Sequence, residues 1–323
     1  MINNLQLLFE NYQRCTLCPR KCGVNRSNGQ TGYCGETDQL RISSVGAHFG
    51  EEPPISGSNG SGTVFFSGCS LKCYYCQNYQ ISFAGLGSHF SCEQVADKIK
   101  ELVDSNNIHN VNFVTPDHFL PHTIRIVELL REKNISLPIL YNTSGYQKLA
   151  AVKALENYAD IYLPDFKYAD PILAKELSKA EDYPERALNS LIEMVRQKGF
   201  MDSFTEKKTI ATKGVMVRHL ILPDQVQNSK DVLMTLFLEF GKNIPISLMS
   251  QYYPPEDLID SAAFGEYKFL NRNITLPEFE EVYEHALKLG LRNMFVQFPQ
   301  DFRSKKDKTD FVPDFIKDKP FQR

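Results

Sequence analysis

The sequence has no excess of positive charge: 36 Lys and Arg stand against 39 Asp and Glu, a formal net charge of −3. A nucleic-acid partner, which would show as a basic excess or a Lys/Arg stripe, is therefore not expected. No apolar run approaches the ~18 residues needed to span a bilayer, so membrane insertion is not expected either. The opening Met1-Ile2-Asn3-Asn4-Leu5-Gln6 lacks a basic stretch followed by an apolar one, and a signal peptide is not expected. No internal repeat is visible. Without export the eight cysteines stay reduced in the cytoplasm, where clustered thiols are more often metal ligands or catalytic groups than disulfides.

At 323 residues with 42% apolar content, the chain is long enough for one large domain or two ordinary ones. Seven of its cysteines fall into two groups. Cys15, Cys18, Cys22 and Cys34 lie in a Gly- and Asn-rich segment with little hydrophobic periodicity. Such a segment buries little apolar surface, so a metal is a plausible organiser. Four thiols suit a second iron-sulfur cluster, structural zinc or a thiol switch, and the spacing does not discriminate. Cys69, Cys73 and Cys76 follow the β-type run Thr63-Val64-Phe65-Phe66. Three cysteines leave one corner of a metal site open, unlike a closed zinc site or a fully ligated 4Fe-4S cluster. A zinc knuckle borrowing His89 or Cys92 is the plain alternative, and Cys92 by itself reads as a packed small hydrophobe.

After that loop the chain alternates strand and helix signals. Ser91 caps a helix to about Asp104, and strands are expected at 111–114, 138–141, 160–163, 215–222, 246–249 and 293–296, with helices between them. This regular alternation predicts right-handed βαβ units and a parallel sheet, curved or partly closed, with ligands at the carboxyl ends of the strands. The flexible-looking run 56–62 separates residues 1–55, a cysteine-rich module, from a main domain at 56–298. Residues 299–323 form a tail expected to wrap the surface or to be partly disordered.

Cys69-x3-Cys73-x2-Cys76, with Tyr75 before the last cysteine, resembles the signature of radical SAM enzymes. Asp165-Phe166-Lys167 is similar to the Asp-x-Lys of pyruvate formate-lyase activating enzymes, and Asn142-Thr143-Ser144-Gly145 stands where those activases carry Asp-Thr-Asn-Gly. Two departures are plain. Thr115-Pro116-Asp117-His118 replaces Gly-Gly-Glu, and Asn142 replaces a charged Asp. Together with the cysteine module, Gly50-Glu51-Glu52-Pro53 and Leu248-Met249-Ser250-Gln251-Tyr252, the chain resembles a branch of uncharacterised activase homologues over residues 15 to about 297.

The resemblance implies a partial (β/α)6 radical SAM barrel, an α/β fold, with a small N-terminal cysteine-rich module. It implies a 4Fe-4S cluster on Cys69, Cys73 and Cys76, with S-adenosylmethionine (SAM) chelating the open iron. Tyr75, Thr115, Asn142, Asp165 and Lys167 would contact SAM. One electron would cleave SAM to a 5'-deoxyadenosyl radical that abstracts hydrogen. Activation of a glycyl radical enzyme is the first function implied, and modification of another peptide or of a small molecule the second. An electron donor such as flavodoxin or ferredoxin is the implied partner. A non-catalytic metal or electron-transfer protein is the other class. Arg218 and His219 alternate faces, so at most one points inward. Gln251, Tyr252, His48, Glu51 and Glu52 are weaker candidates near the mouth.

Overall fold

The computed structural model describes residues 4–255, 265–299, 313–317 and 320–321. Most of the tail expected at 299–323 lies outside them. Ten strands are present among the described residues: β1 (Arg41–His48), β2 (Ser61–Phe66), β3 (Ser88–His89), β4 (Val111–Val114), β5 (Ile139–Thr143), β6 (Ile161–Pro164), β7 (Gly214–Val215), β8 (Val217–Leu220), β9 (Ile246–Met249) and β10 (Met294–Val296). The helices are α1 (Asn4–Glu10), α2 (Pro53–Ser56), α3 (Tyr79–Ser82), α4 (Cys92–Asn106), α5 (Leu120–Glu132), α6 (Leu149–Ala154), α7 (Pro171–Ser178), α8 (Tyr183–Lys198), α9 (Asp202–Thr205), α10 (Val226–Phe240) and α11 (Leu276–Lys288).

Strands β2, β4, β5, β6 and β7 pair in parallel in chain order, and β8, β9 and β10 form a second parallel set. The two sets are one array. Only Met216 separates β7 from β8, and a parallel bridge joins Asp165 to Arg218, with the Phe166 N–H donating to the Arg218 carbonyl at 2.8 Å. The expected strand at 215–222 is therefore a strand kinked at Met216. Phe65 (β2), Val114 (β4), Asn142 (β5), Arg218 (β8), Ser247 (β9) and Phe295 (β10) line a single cavity. A flat sheet could not bring six strands to one hollow, so the array is a partial barrel. The fold is the α/β class expected, with helices packed outside a mostly parallel sheet.

Local chemistry explains the boundaries that matter. Ser91 and Gln94 form a reciprocal capping box at the start of α4, which satisfies two of the backbone donors a helix leaves open. The strands are short and buried on both faces, β2, β4 and β6 throughout, as parallel strands covered by helices are. Two strands, β1 and the two-residue β3, are not expected from the sequence. β1 precedes the run 56–62 yet pairs antiparallel with β2 from Ile42↔Phe66 to His48↔Ser61 and carries β3 on its other edge. Its residues are mostly half-buried with no clean alternation. The run 56–62 is not a loose linker: Ser56, Ser61 and Thr63 beyond it are buried, and Asn110 Nδ2 donates to the Ile55 carbonyl at 2.8 Å.

Candidate functional site: a three-thiol loop above a charged barrel lumen

The loop that leaves β2 turns sharply at Gly68, which has φ +77°. A Cβ there would sit 2.7 Å from the Cys34 carbonyl oxygen and 2.6 Å from the Glu36 side chain, so only glycine fits. Cys69 and Cys73 are buried and Cys76 half-buried. The chain aims donors at the sulfurs: the Leu71 and Lys72 N–H groups lie 3.3 and 3.4 Å from Cys69 Sγ, and the Ser82 hydroxyl donates to Cys76 Sγ at 3.2 Å. Burial pushes the Cys69 thiol up to about 12 and the Cys76 thiol to about 11, with the neighbouring cysteines adding to it. Thiolates therefore need a bound cation to persist here, while the aimed donors suit sulfur that carries negative charge. Arg20 clamps the loop from below, donating to the Ser70 carbonyl at 2.8 Å and to the Ser178 carbonyl at the end of α7 at 2.7 Å.

Around the loop stand the carboxyl ends of β4, β5 and β6. Thr115, just past β4, has φ +55°, a left-handed conformation that is an outlier for a β-branched side chain. Its N–H donates to the Asn142 carbonyl at 2.9 Å. Lys167 Nζ pairs with Asp165 Oδ2 at 2.6 Å, with side chains 17% and 21% exposed. Burial pulls the Lys167 ammonium down, but Asp165 and the nearby Cys73 outweigh it and hold the group well above its ordinary range. Tyr183, not singled out from sequence, fixes this corner. Its hydroxyl lies 2.9 Å from both the Ser144 and Asp165 carbonyls and accepts the Lys167 N–H at 3.0 Å. The strand ends meet closely enough that a Cβ on Gly145 would fall 2.2 Å from the Asp165 carbonyl oxygen. Tyr75 is buried, edge-on to Tyr168 and Tyr252.

Below lies the lumen, a cavity of about 860 Å³ that reaches from Gln77 and Asn78 beside the loop to Glu51, Glu52 and Arg218. Because β1 and β2 are antiparallel, the segment joining them closes the amino-terminal end of the barrel. It sends Glu51 and Glu52 inward, where both accept from Arg218 Nη2, and Glu52 also from Arg218 Nε at 2.9 Å. Asn112 Nδ2 donates to Glu51 Oε1 at 2.8 Å. Burial works against the Glu51 charge, but Arg218 and His48 hold its carboxyl below the usual range. This is no solvated acidic turn: the three side chains are 8%, 8% and 11% exposed. Pro313 and Phe321 contribute to the lateral wall, with Phe315 and Phe321 packed 5.2 and 5.4 Å from Phe65.

Residues 63–218 match the family model of the radical SAM superfamily. The match runs from β2 through the three-thiol loop to Arg218 on β8. An uncharacterized protein of Methanocaldococcus jannaschii is 27% identical over 287 residues, covering 87% of this chain and 76% of that protein. The crystal structure of methylornithine synthase (PylB) aligns over 94% of this chain and 81% of its own at 13% identity and a TM-score of 0.42, a likeness too loose to carry an argument.

Within the matched region Cys69, Cys73, Thr115, Asn142, Asp165 and Lys167 stand at the carboxyl ends of the strands, and of the five residues expected to contact SAM Asn142 alone lines the lumen. Arg218 points inward as one of its pair, and His219 points away, buried, with Nδ1 2.7 Å from the Phe166 carbonyl. Gln251 joins the loop to the far strands: its carbonyl accepts from Gln77 Nε2 at 3.1 Å and its side chain from Gln297 Nε2 at 2.8 Å. Tyr252 is buried and donates to the Leu270 carbonyl at 2.8 Å, a packing role. Cys92 is likewise buried, in α4 against α5, while His89 is exposed on β3.

The N-terminal cysteines abut the domain. The Cys69 N–H lies 3.4 Å from the Cys34 carbonyl. All eight cysteines are free thiols, and among the described residues no three His, Cys, Asp or Glu side chains are disposed to hold a metal ion as they stand. Burial, with smaller contributions from Cys34, Cys15 and Cys22, pushes the Cys18 thiol up to about 12. Arg26, fully buried, has no carboxylate partner among the described residues. It donates to the His118 carbonyl at 2.6 Å and the Thr37 carbonyl at 3.0 Å, lies over the Tyr12 ring at 4.3 Å, and has Nη1 3.9 Å from Cys15 Sγ. A buried cation with no carboxylate needs another source of negative charge, and thiolates around a metal would supply it.

Proposed function

We propose that the protein is an enzyme that seats SAM against a 4Fe-4S cluster on Cys69, Cys73 and Cys76 and removes a hydrogen atom from a small molecule in the barrel lumen. The observation that carries this reading is the three-thiol loop, with hydrogen-bond donors aimed at its sulfurs, facing the Asp165–Lys167 pair across the same strand ends. When bound, the cluster supplies the electron that cleaves SAM to a 5'-deoxyadenosyl radical. The chain's own residues hold and enclose. Lys167 offers an ammonium to the SAM carboxylate and Asp165 a carboxylate to its ribose hydroxyls, each exchanging part of their mutual pairing for the ligand. Asn142 adds hydrogen bonding from the lumen wall, the backbone at Thr115 shapes the seat of the amino group, and Tyr75 backs the adenine. The lumen walls, with Phe65, Phe295 and Phe321 on them, limit the access of water to a reactive intermediate.

Activation of a glycyl radical enzyme is the second reading, favoured by Asp165-Phe166-Lys167 at the end of β6. It requires Phe315 and Phe321 to leave the lateral wall so that a peptide loop can enter. Cys15, Cys18, Cys22 and Cys34 would hold a second metal centre, iron-sulfur or zinc, with Arg26 balancing its charge. An iron-sulfur centre there would pass electrons from a flavodoxin or ferredoxin to the first cluster through the Cys34–Cys69 contact. The setting would be the cytoplasm; among the described residues no helix is long and apolar enough to cross a membrane.

The test is anaerobic reconstitution followed by dithionite and SAM. The reading expects 5'-deoxyadenosine and methionine in equal amounts. Protein that retains zinc, shows no 4Fe-4S spectrum and makes no 5'-deoxyadenosine would sink it.

A further inference from the structure

Arg20 sits between Cys18 and Cys22, outside the three-thiol loop, yet spends its guanidinium on that loop. Nε donates to the Ser70 carbonyl at 2.8 Å and Nη2 to the Leu71 carbonyl at 3.2 Å, while Nη2 and Nη1 also reach the Ser178 and Lys179 carbonyls at the end of α7. All four acceptors are backbone carbonyls. The guanidinium lies over the Tyr33 ring at 3.9 Å and the Tyr146 ring at 5.2 Å, and the Tyr33 hydroxyl adds a contact to the Leu71 carbonyl at 3.5 Å. A planar fork holds several acceptors at fixed angles, where a single flexible ammonium does not.

The two loop carbonyls belong to particular peptide units. The Ser70 carbonyl shares its plane with the Leu71 N–H, and the Leu71 carbonyl shares its plane with the Lys72 N–H. Those are the two N–H groups that lie 3.3 and 3.4 Å from Cys69 Sγ. In a trans peptide the carbonyl and the N–H point in opposite directions, so a guanidinium that grips the oxygens on one side aims the hydrogens on the other at the sulfur. The loop needs such a grip. Lys72 is left-handed, with φ +51°, and a residue in that region stays there only where its surroundings impose it. A carbonyl that accepts from a cation is also polarised, which strengthens the N–H of the same peptide as a donor.

We propose that Arg20 is a positioning residue that holds the Ser70–Leu71 and Leu71–Lys72 peptide units with their N–H groups on Cys69 Sγ, and that it thereby raises the reduction potential of the cluster on Cys69, Cys73 and Cys76. This rests on the reading of those cysteines as the ligands of a 4Fe-4S cluster. One-electron reduction adds negative charge that the ligand sulfurs share, so donors aimed at a sulfur stabilise the reduced form more than the oxidised one. Arg20 acts through the backbone and takes no part in bond breaking.

Redox titration of the full chain reconstituted with iron and sulfide, followed by the paramagnetic signal of the reduced cluster without SAM, tests this in the wild type, Arg20→Ala and Arg20→Lys. Arg20→Ala is expected to make reduction about tenfold less favourable, a fall of about 59 mV in the one-electron midpoint. Arg20→Lys keeps the charge and loses the fork, and is expected to recover only part of that fall. An Arg20→Ala midpoint equal to or above that of the wild type overturns the inference. So does an Arg20→Lys midpoint equal to the wild type, because charge alone would then suffice; if Arg20→Ala does not fold, Arg20→Lys decides alone. Amide hydrogen exchange of the metal-free chain needs no cluster. Residues 70–72 are expected to exchange about tenfold faster in Arg20→Ala, with α10 unchanged, and equal exchange at residues 70–72 overturns the inference as well. Wild-type protein that takes up no 4Fe-4S cluster while exchange at residues 70–72 depends on Arg20 would leave the grip on the peptide units standing and remove the radical SAM reading instead.

Discussion

Two neighbouring clusters of buried charge are held in different ways. Asp165 and Lys167 pair one to one at 2.6 Å beside the three thiols. Glu51 and Glu52 share Arg218, whose backbone bridges Asp165, and the charge of His48 also holds Glu51 ionised. A one-to-one pair can divide itself between the two charged groups of a zwitterionic ligand. A cluster tied by several charge-assisted hydrogen bonds is fixed in place, which suits a wall of the cavity.

The comparison can be broken most completely at the loop. Replacing any of Cys69, Cys73 or Cys76 by Ala is expected to abolish 5'-deoxyadenosine formation, read by chromatography of anaerobic reactions. The next largest effect is at the floor. Arg218→Leu leaves Glu51 and Glu52 facing each other without their cation, and removing one partner of a buried ionic group costs about 3 to 5 kcal/mol, read as a lowered urea midpoint. Lys167→Ala acts on the other cluster and separates the two roles. It is expected to weaken SAM binding about tenfold, the worth of one charge-assisted hydrogen bond, with the urea midpoint little changed.

A smaller effect sharpens the picture near Thr115. Asp117 follows in the same segment, buried, with neither carboxylate oxygen partnered. Burial pushes its carboxyl from 3.8 up to about 7. The folded state therefore holds a proton that the unfolded chain releases, so stability falls as pH rises from about 4 to about 7, by on the order of 1 kcal/mol per unit. Asp117→Asn, which cannot ionise, is expected to flatten that dependence in urea titrations at pH 5, 6, 7 and 8.

Much of the carboxyl end was legible in the sequence because its chemistry is local. Three cysteines within eight positions and Asp165-Phe166-Lys167 at a strand end are each visible as short runs, and parallel strands such as Val111–Val114 and Ile246–Met249 announce themselves as apolar segments between helices. The amino end was not legible, because its meaning depends on contacts across the chain. Glu52 and Arg218 stand 166 positions apart, and nothing in Gly50-Glu51-Glu52-Pro53 says that the turn folds inward. It turns inward because β1 pairs antiparallel with β2, and β1, half-buried and without alternation, carries little strand signal. Tyr183 escaped for the same reason: a helix tyrosine whose hydroxyl pins two strand ends looks in sequence like any packed aromatic.

The most direct test of the account is the electron paramagnetic resonance spectrum of the reduced, reconstituted protein before and after SAM is added. SAM on the open corner of a three-thiolate cluster, steadied by Asp165 and Lys167, predicts a 4Fe-4S signal whose g values shift with SAM in the wild type and shift only at higher SAM concentration in Lys167→Ala. A cluster signal that SAM leaves unchanged in the wild type would contradict it.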